Sequence, residues 1–149
     1  MPISYHDLLA ALAEEIGLKA ESLIATEEVV IDDLPISMQL EGEGENAEVV
    51  LCSLLGTVPQ ERWPEIARTM LLANHLWTGT GGATLGLLAD DDTASLSVRR
   101  LLRDLNADKL AVLLAKTADI GLAWQDFIAH NPYKHNEPVF LDAAASLRA

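Results

Sequence analysis

The chain has 149 residues, half of them hydrophobic, and its 23 acidic and 10 basic residues give a formal net charge of −13. This length suits one domain with a single core, and the hydrophobic content excludes a disordered chain. The negative charge argues against nucleic acid and anionic membranes as partners, and it favours solubility or a basic partner. We expect no membrane span, because no apolar run approaches the roughly 20 residues that a span needs. We also expect no signal peptide, because the N-terminus lacks a basic segment followed by an apolar one.

The first part of the chain is predicted to form a helix and three strands. Ser4 is a candidate N-cap and Gly17 is placed to end the helix. The apolar stripe of this helix consists of Leu8, Leu9, Leu12 and Ile16. The strands are predicted over residues 29–31, 36–40 and 48–55. The second alternates apolar and polar residues, the third is apolar on both faces, and their short connections favour an antiparallel meander.

Cys52 is the only cysteine, so a disulfide cannot form within the chain. It lies in the apolar run 49–52, which favours a buried structural thiol over a nucleophile. A single thiol of this kind fits a reducing, cytoplasmic setting.

The helix predicted from about residue 60 is apolar on two sides in its second half. One stripe consists of Trp63, Ile66, Ala67, Met70, Leu71 and Asn74. Leu72 and Leu76 fall on the opposite side. A helix with two apolar sides must be covered twice, so we expect the sheet on one side and a second copy of the protein on the other.

A glycine-rich turn over residues 79–82 is predicted to lead into a β-hairpin. Its strands are expected over residues 83–88 and 94–99, with three aspartates, residues 90–92, at the turn. Asn106 is the candidate N-cap of a long amphipathic helix that follows the hairpin.

The resulting order, α-β-β-β-α-β-β-α, predicts an α+β fold with a mostly antiparallel twisted sheet packed by helices. Residues 1–129 are predicted to form this domain. Residues 130–149 contain two prolines and no period, and they are predicted to be a C-terminal tail with a weak pattern for a short helix over residues 139–148.

Motifs for catalysis or metal binding are not found. The glycine run 79–82 precedes a strand and lacks the Lys-Ser/Thr of a phosphate-binding loop. The four histidines lack metal-ligand spacing, and the acidic turn at 90–92 lacks the spaced ligands of a calcium loop. We therefore expect no catalytic residue, no metal site and no cofactor.

The apolar residues exceed what a small two-layer core needs. The surplus includes Val50, Cys52 and Leu54 on one strand face, and Leu72 and Leu76 on the central helix. Surplus apolar surface usually marks an interaction site. The alternative is that loops or the tail 130–149 cover it.

Two runs in the middle of the chain carry a family resemblance. They are Leu72-Ala73-Asn74 and the run from Trp77 to Leu85 with its glycines. Together with the order of elements over residues 3–129, they resemble type III secretion chaperones of the Tir-chaperone-like family. The resemblance implies a homodimer that holds an effector for export. It also implies that an N-terminal segment of the effector is bound in an extended form, through apolar pockets and addition of a strand to the sheet edge.

Carried over by position, the resemblance implies a dimer interface at Leu72, Leu76 and Trp77. It implies effector binding on one of two strand faces, and the candidates are Val29, Ile31, Ile36, Met38, Leu40, Val50, Cys52 and Leu54. The secretion ATPase is a further candidate partner. The tail has no family counterpart, and three roles stay open for it: covering the effector site, contacting the export machinery, or none.

Two alternatives to an effector chaperone remain at this point. One is a binding module of the same fold that holds a folded partner or regulates a secretion component. The other is an enzyme whose site the sequence does not reveal, which would require a deep pocket with convergent polar groups. If the protein is encoded beside an effector or a secretion apparatus, the chaperone hypothesis is favoured.

Overall fold

The computed structural model describes residues 3–130. Its helices are α1 (Tyr5–Ile16), α2 (Ala20–Thr26), α3 (Trp63–Asn74) and α4 (Ala107–Ala129). Its strands are β1 (Glu28–Ile31), β2 (Leu34–Glu41), β3 (Glu48–Thr57), β4 (Thr84–Leu87) and β5 (Thr93–Leu101). The strands form one antiparallel sheet in the order β1-β2-β3-β5-β4.

This architecture confirms the predicted α+β class and antiparallel sheet. Helix α2 is an element that the sequence analysis did not predict. It is short, and its N-cap residue, Lys19, makes no side-chain capping hydrogen bond. The short helix predicted over residues 139–148 lies outside the described residues. None of the described helices is long and apolar enough to cross a membrane.

The chain divides into two compact units. Within the described residues, the first contains residues 3–52 together with Arg99–Ala118, and the second contains Ser53–Val98 together with residues 119–130.

In the first unit, local signals define the ends of α1 and the β1–β2 hairpin. The Asp7 backbone N–H donates to the Ser4 hydroxyl oxygen at 3.1 Å, which confirms Ser4 as the N-cap. Gly17 ends the helix with a φ of 78°. Asp32 and Asp33 both adopt left-handed conformations, with φ of 48° and 67°. This is the type I′ turn that joins two-residue hairpins.

In the second unit, α3 buries Ile66, Met70 and Ala73 and ends at Asn74. Two expectations for this helix are therefore wrong. Leu71 and Trp63, both predicted to lie in the covered stripe, are exposed. Leu76, predicted to be helical, follows the helix end and has a φ of 51°. The helix ends early because the chain must turn sharply toward β4.

The turn between α3 and β4 requires a glycine at position 79. A Cβ built on Gly79 would lie 2.6 Å from the Ala73 Cβ, which is closer than two carbon atoms can pack. This approach lets the Gly79 N–H donate to the Ala73 carbonyl at 3.0 Å. The Gly79 carbonyl in turn accepts a hydrogen bond from the buried Trp124 indole, also at 3.0 Å. The turn is thus fixed from two sides.

Helix α4 has a side-chain cap at each end. At its start, the Lys109 N–H donates to Asn106 Oδ1 at 2.8 Å, which confirms the predicted N-cap. At its end, the Arg62 guanidinium donates to the carbonyls of Phe127 and Ile128, both at 3.0 Å. A cation satisfying the last carbonyls of a helix also interacts favourably with the helix dipole.

Candidate functional site

An apolar groove lies in the first unit, where α1 ends. Ile16 and Leu18 flank the helix-ending Gly17 and remain exposed, because the chain leaves the helix between them. The groove has a volume of about 250 Å³. Its lining consists of Ile16, Leu18, Val29, Val30, Ile31, Ala111 and Leu114. One wall is therefore strand β1, and the others are the end of α1 and the first half of α4.

Strand β1 is the outer strand on one side of the described sheet. In a hairpin with a two-residue turn, the residues next to the turn form a hydrogen-bonded pair, here Ile31 with Leu34. Pairs alternate along the strands, so Val30 opposite Pro35 is a non-hydrogen-bonded pair. The bond from the Met38 N–H to the Glu27 carbonyl, at 2.7 Å, continues this alternation.

The backbone N–H and C=O of Val30 therefore point away from β2, toward the edge of the sheet. Its side chain is 59% exposed and lines the groove. Unpaired strand groups beside an apolar groove are what an added strand needs: main-chain partners and a place for alternate side chains.

The eight residues predicted for effector binding fall into three environments. Val29, Ile36 and Met38 are buried in the core, although Val29 also reaches the groove. Ile31, Val50 and Cys52 are half-buried, and Leu40 and Leu54 are exposed. The groove brings together Val29 and Ile31 from this set. The sequence prediction did not include Ile16, Leu18, Val30, Ala111 or Leu114.

A second apolar surface lies in the second unit and covers the end of α3 and the turn after it. We call it the 71–77 patch, and it consists of Leu71, Leu72, Leu76 and Trp77. The last two are 72% and 55% exposed. Both have left-handed φ angles, of 51° and 55°, which large residues rarely adopt. Backbone strain combined with exposed apolar side chains is typical of an interaction surface.

Comparison with known proteins gives the family. Residues 7–119 match the sequence pattern of the Tir chaperone protein (CesT) family. The chain belongs to this family. The resemblance seen in the glycine turn and the order of elements is thereby confirmed. No curated protein is significantly similar to the chain in sequence.

Solved structures of similar fold include three complexes. The ExsC–ExsE complex has a TM-score of 0.63 and 19% identity, over 83% of this chain and 92% of that one. The HopA1–SchA chaperone–effector complex has a TM-score of 0.65 and 15% identity, over 82% and 93%. The Yersinia pestis type III secretion chaperone SycH, in complex with a stable fragment of YscM2, has a TM-score of 0.54 and 23% identity, over 81% and 99%. At these identities the likeness shows a shared fold alone.

Cys52 of this CesT-family chain is half-buried, whereas the sequence predicted a buried thiol. Burial raises the pKa of the Cys52 thiol, so less of the reactive thiolate is present at neutral pH. Its carbonyl accepts a hydrogen bond from the Ser37 hydroxyl across the strand pair, at 3.1 Å. These surroundings suit a structural residue. Within residues 3–130, no three acidic, histidine or cysteine side chains are grouped as metal ligands would be.

Two carboxyl groups meet in the first unit: Glu15, which precedes the groove residue Ile16, and Asp108, in the first turn of α4. A hydrogen bond with Asp108 raises the pKa of Glu15, and the negative charge of Asp108 acts in the same direction. Glu15 also lies in the last turn of α1, where the helix dipole disfavours a negative charge. The ionised form of Glu15 is therefore less favourable in the folded chain than in the unfolded one.

We expect Glu15→Gln to raise the thermal unfolding midpoint at neutral pH. Because the folded state binds the Glu15 proton more tightly, wild-type stability falls as pH rises from the ordinary glutamate pKa through the raised one. The gain should therefore shrink as the pH falls and vanish at about pH 3, where both states are protonated. Melting curves across this range test it. Glu14→Gln, with the same change in net charge, is the control, and an unchanged or lower midpoint for Glu15→Gln at neutral pH would contradict the prediction.

Proposed function

We propose that this CesT-family protein is a type III secretion chaperone that binds the N-terminal segment of an effector and keeps it soluble and competent for export. The observation that carries the proposal is the unpaired edge of β1 beside the apolar groove. Family membership supports it, as do the similar folds found in the HopA1–SchA chaperone–effector complex and in the complex of the type III secretion chaperone SycH.

The groove and the edge would act together on an extended segment. Backbone groups of the effector would pair with Val30, and every second side chain would enter the groove. Burying these apolar side chains would supply the affinity, while the backbone pairing would keep the segment extended. The negative charge of the chain favours a segment with basic residues beside its apolar ones.

We further propose that the protein is a homodimer in which the 71–77 patch of one copy covers that of the other. The left-handed turn at Leu76 and Trp77 supports this, because it exposes two large apolar side chains at a cost in backbone strain. The proposal also places the protein in the cytoplasm, where it works without a cofactor or a catalytic step and delivers its effector to the secretion ATPase.

Purification of the tagged protein from its source cell tests the chaperone function. Partners are identified by mass spectrometry, and the bound region is mapped by limited proteolysis. A stoichiometric partner that is protected only in an N-terminal, otherwise disordered segment is expected. Recovery of a folded partner would instead favour a binding module that regulates a secretion component. Recovery of the protein alone, from cells that express the secretion system, would count against the proposal.

We expect Val30→Pro to weaken effector binding about tenfold or more and to leave the fold intact. Proline removes the outward N–H of Val30 but no hydrogen bond of the β1–β2 ladder. The lost hydrogen bond to the effector backbone is worth about 1 kcal/mol, and the proline ring also obstructs the added strand. Titration calorimetry with a synthetic effector segment measures the change. Val30→Thr keeps the N–H and the branched shape, so it should bind more tightly than Val30→Pro. Equal affinities for Val30→Pro and Val30→Thr would rule out strand addition at β1.

A further inference from the structure

A sheet has two outer strands, and the second one here is β4, in the second unit. An outer strand offers unpaired N–H and C=O groups to any other strand, including one from a second copy of the chain. The Leu88 N–H donates to the Thr93 carbonyl at 2.9 Å, so Leu88 is turned toward β5. By alternation, the backbone groups of Ala83, Leu85 and Leu87 are turned outward.

The chain's own groups occupy most of this outward row. The Leu85 N–H donates to Asn74 Oδ1 at 2.9 Å, and Asn74 Nδ2 donates to the Leu85 carbonyl at 2.9 Å. This pair of bonds is what a residue of a neighbouring strand would make. The Ala83 N–H donates to the Thr80 carbonyl at 3.1 Å. Among the three outward residues, Leu87 is left with both backbone groups available in the described chain.

The position of Asn74 follows from the early end of α3. It is the last helical residue, and its side chain is the one amide in the predicted stripe of that helix. An amide carries both an acceptor and two donors, so it can satisfy an N–H and a C=O at once. Alanine or leucine could do neither, and aspartate could satisfy only the N–H.

We propose that Asn74 closes the β4 edge against pairing with the β4 edge of a second copy of the chain. A new strand needs several successive hydrogen bonds, and Asn74 occupies the middle of the row. The edge of β1 has no such side-chain amide in the described residues, so the amide closes β4 and leaves β1 open. This proposal does not require that the chain bind an effector.

Asn74→Ala tests the proposal by freeing the Leu85 groups. Amide exchange at Leu85 should accelerate about five- to tenfold, as expected for one lost hydrogen bond. Sedimentation velocity should show, with rising concentration, a species larger than the wild-type particle. Asn74→Asp is the matched variant. Its carboxylate still accepts from the Leu85 N–H and repels an incoming carbonyl, so it should sediment like the wild type.

Leu87→Pro supplies the second control. The Leu87 N–H lies outside the β4–β5 ladder, so proline is compatible with the strand but not with a partner on its outer side. Alone it should leave the particle size unchanged, and combined with Asn74→Ala it should abolish the larger species. If Asn74 only held α3 against β4, both Asn74 variants would behave alike and Leu87→Pro would rescue neither, which would overturn the proposal.

Two further outcomes would also overturn it. One is a folded Asn74→Ala variant with wild-type sedimentation and unchanged exchange at Leu85. If Asn74→Ala does not fold, the exchange map of the wild type decides instead. A protected Leu85 amide beside a rapidly exchanging Leu87 amide supports the proposal, whereas equally fast exchange at both contradicts it.

Discussion

Leu72→Asp is expected to convert the proposed homodimer into a monomer. Leu72 is 55% exposed in the single chain and lies in the 71–77 patch, so the proposed dimer would bury it. Burying an unpaired charge costs several kcal/mol, and a two-fold interface contains the substitution twice. With about 1.4 kcal/mol per tenfold change, the dissociation constant should rise by roughly 10³-fold or more. Light scattering and sedimentation velocity at micromolar concentration measure the change in mass.

Val112→Asp is the matched control for this experiment. Val112 is 68% exposed on α4 and lies outside the 71–77 patch, so its substitution adds the same charge to an exposed apolar position. The variant should keep the mass of the wild type. An unchanged sedimentation coefficient for Leu72→Asp would refute the role of Leu72, and a monomeric wild type at the same concentration would refute the dimer itself.

Gly79→Ala is expected to destabilise the protein by about 2–3 kcal/mol, because the added methyl overlaps the Ala73 Cβ and the backbone must move. Movement of the turn would also stretch the hydrogen bond from Trp124 to the Gly79 carbonyl. For a chain of this length, the unfolding midpoint should fall by about 5–10 °C. Thermal denaturation followed by far-UV circular dichroism measures the loss.

Gly86→Ala separates this steric effect from the general cost of replacing a glycine near the hairpin. A Cβ at Gly86 would meet only the Ser95 hydroxyl, at 3.4 Å, which is ordinary contact. Its unfolding midpoint should therefore stay close to that of the wild type. Equal midpoints for Gly79→Ala and the wild type would show that the turn can relax without cost.

The elements that the sequence predicted well are those with local signals. Ser4, Gly17 and Asn106 are residues whose own chemistry caps a helix, and all three are confirmed. The predicted end of α3 is wrong because the apolar spacing continues through Leu76. In the structure, the close approach of Gly79 to Ala73 turns the chain two residues earlier. No local pattern reports such an approach between backbone segments.

The groove was harder to predict because it depends on the order of strands. Val30 sits in an apolar run in which its neighbours Val29 and Ile31 carry the same chemistry. Val30 differs from these neighbours because its backbone N–H and C=O point outward from an outer strand. This direction follows only from the pairing of Val30 with Pro35 and from the position of β1 in the sheet. Ile16 and Leu18 did carry a signal, because two apolar residues around a helix-ending glycine are poorly placed for burial.

The tryptophans give the second unit its own optical reporters. Trp124 is buried and donates its indole hydrogen to Gly79, whereas Trp77 stands on the exposed patch. A small water-soluble quencher reaches the second indole and not the first. The third tryptophan, Trp63, is also exposed but lies outside the patch, and Trp63→Phe removes its signal. Fluorescence of that variant contains a blue-shifted component that follows the integrity of the core and a quenchable component that follows coverage of the patch. Folding and association of this chain can therefore be followed separately in a single fluorescence-quenching experiment.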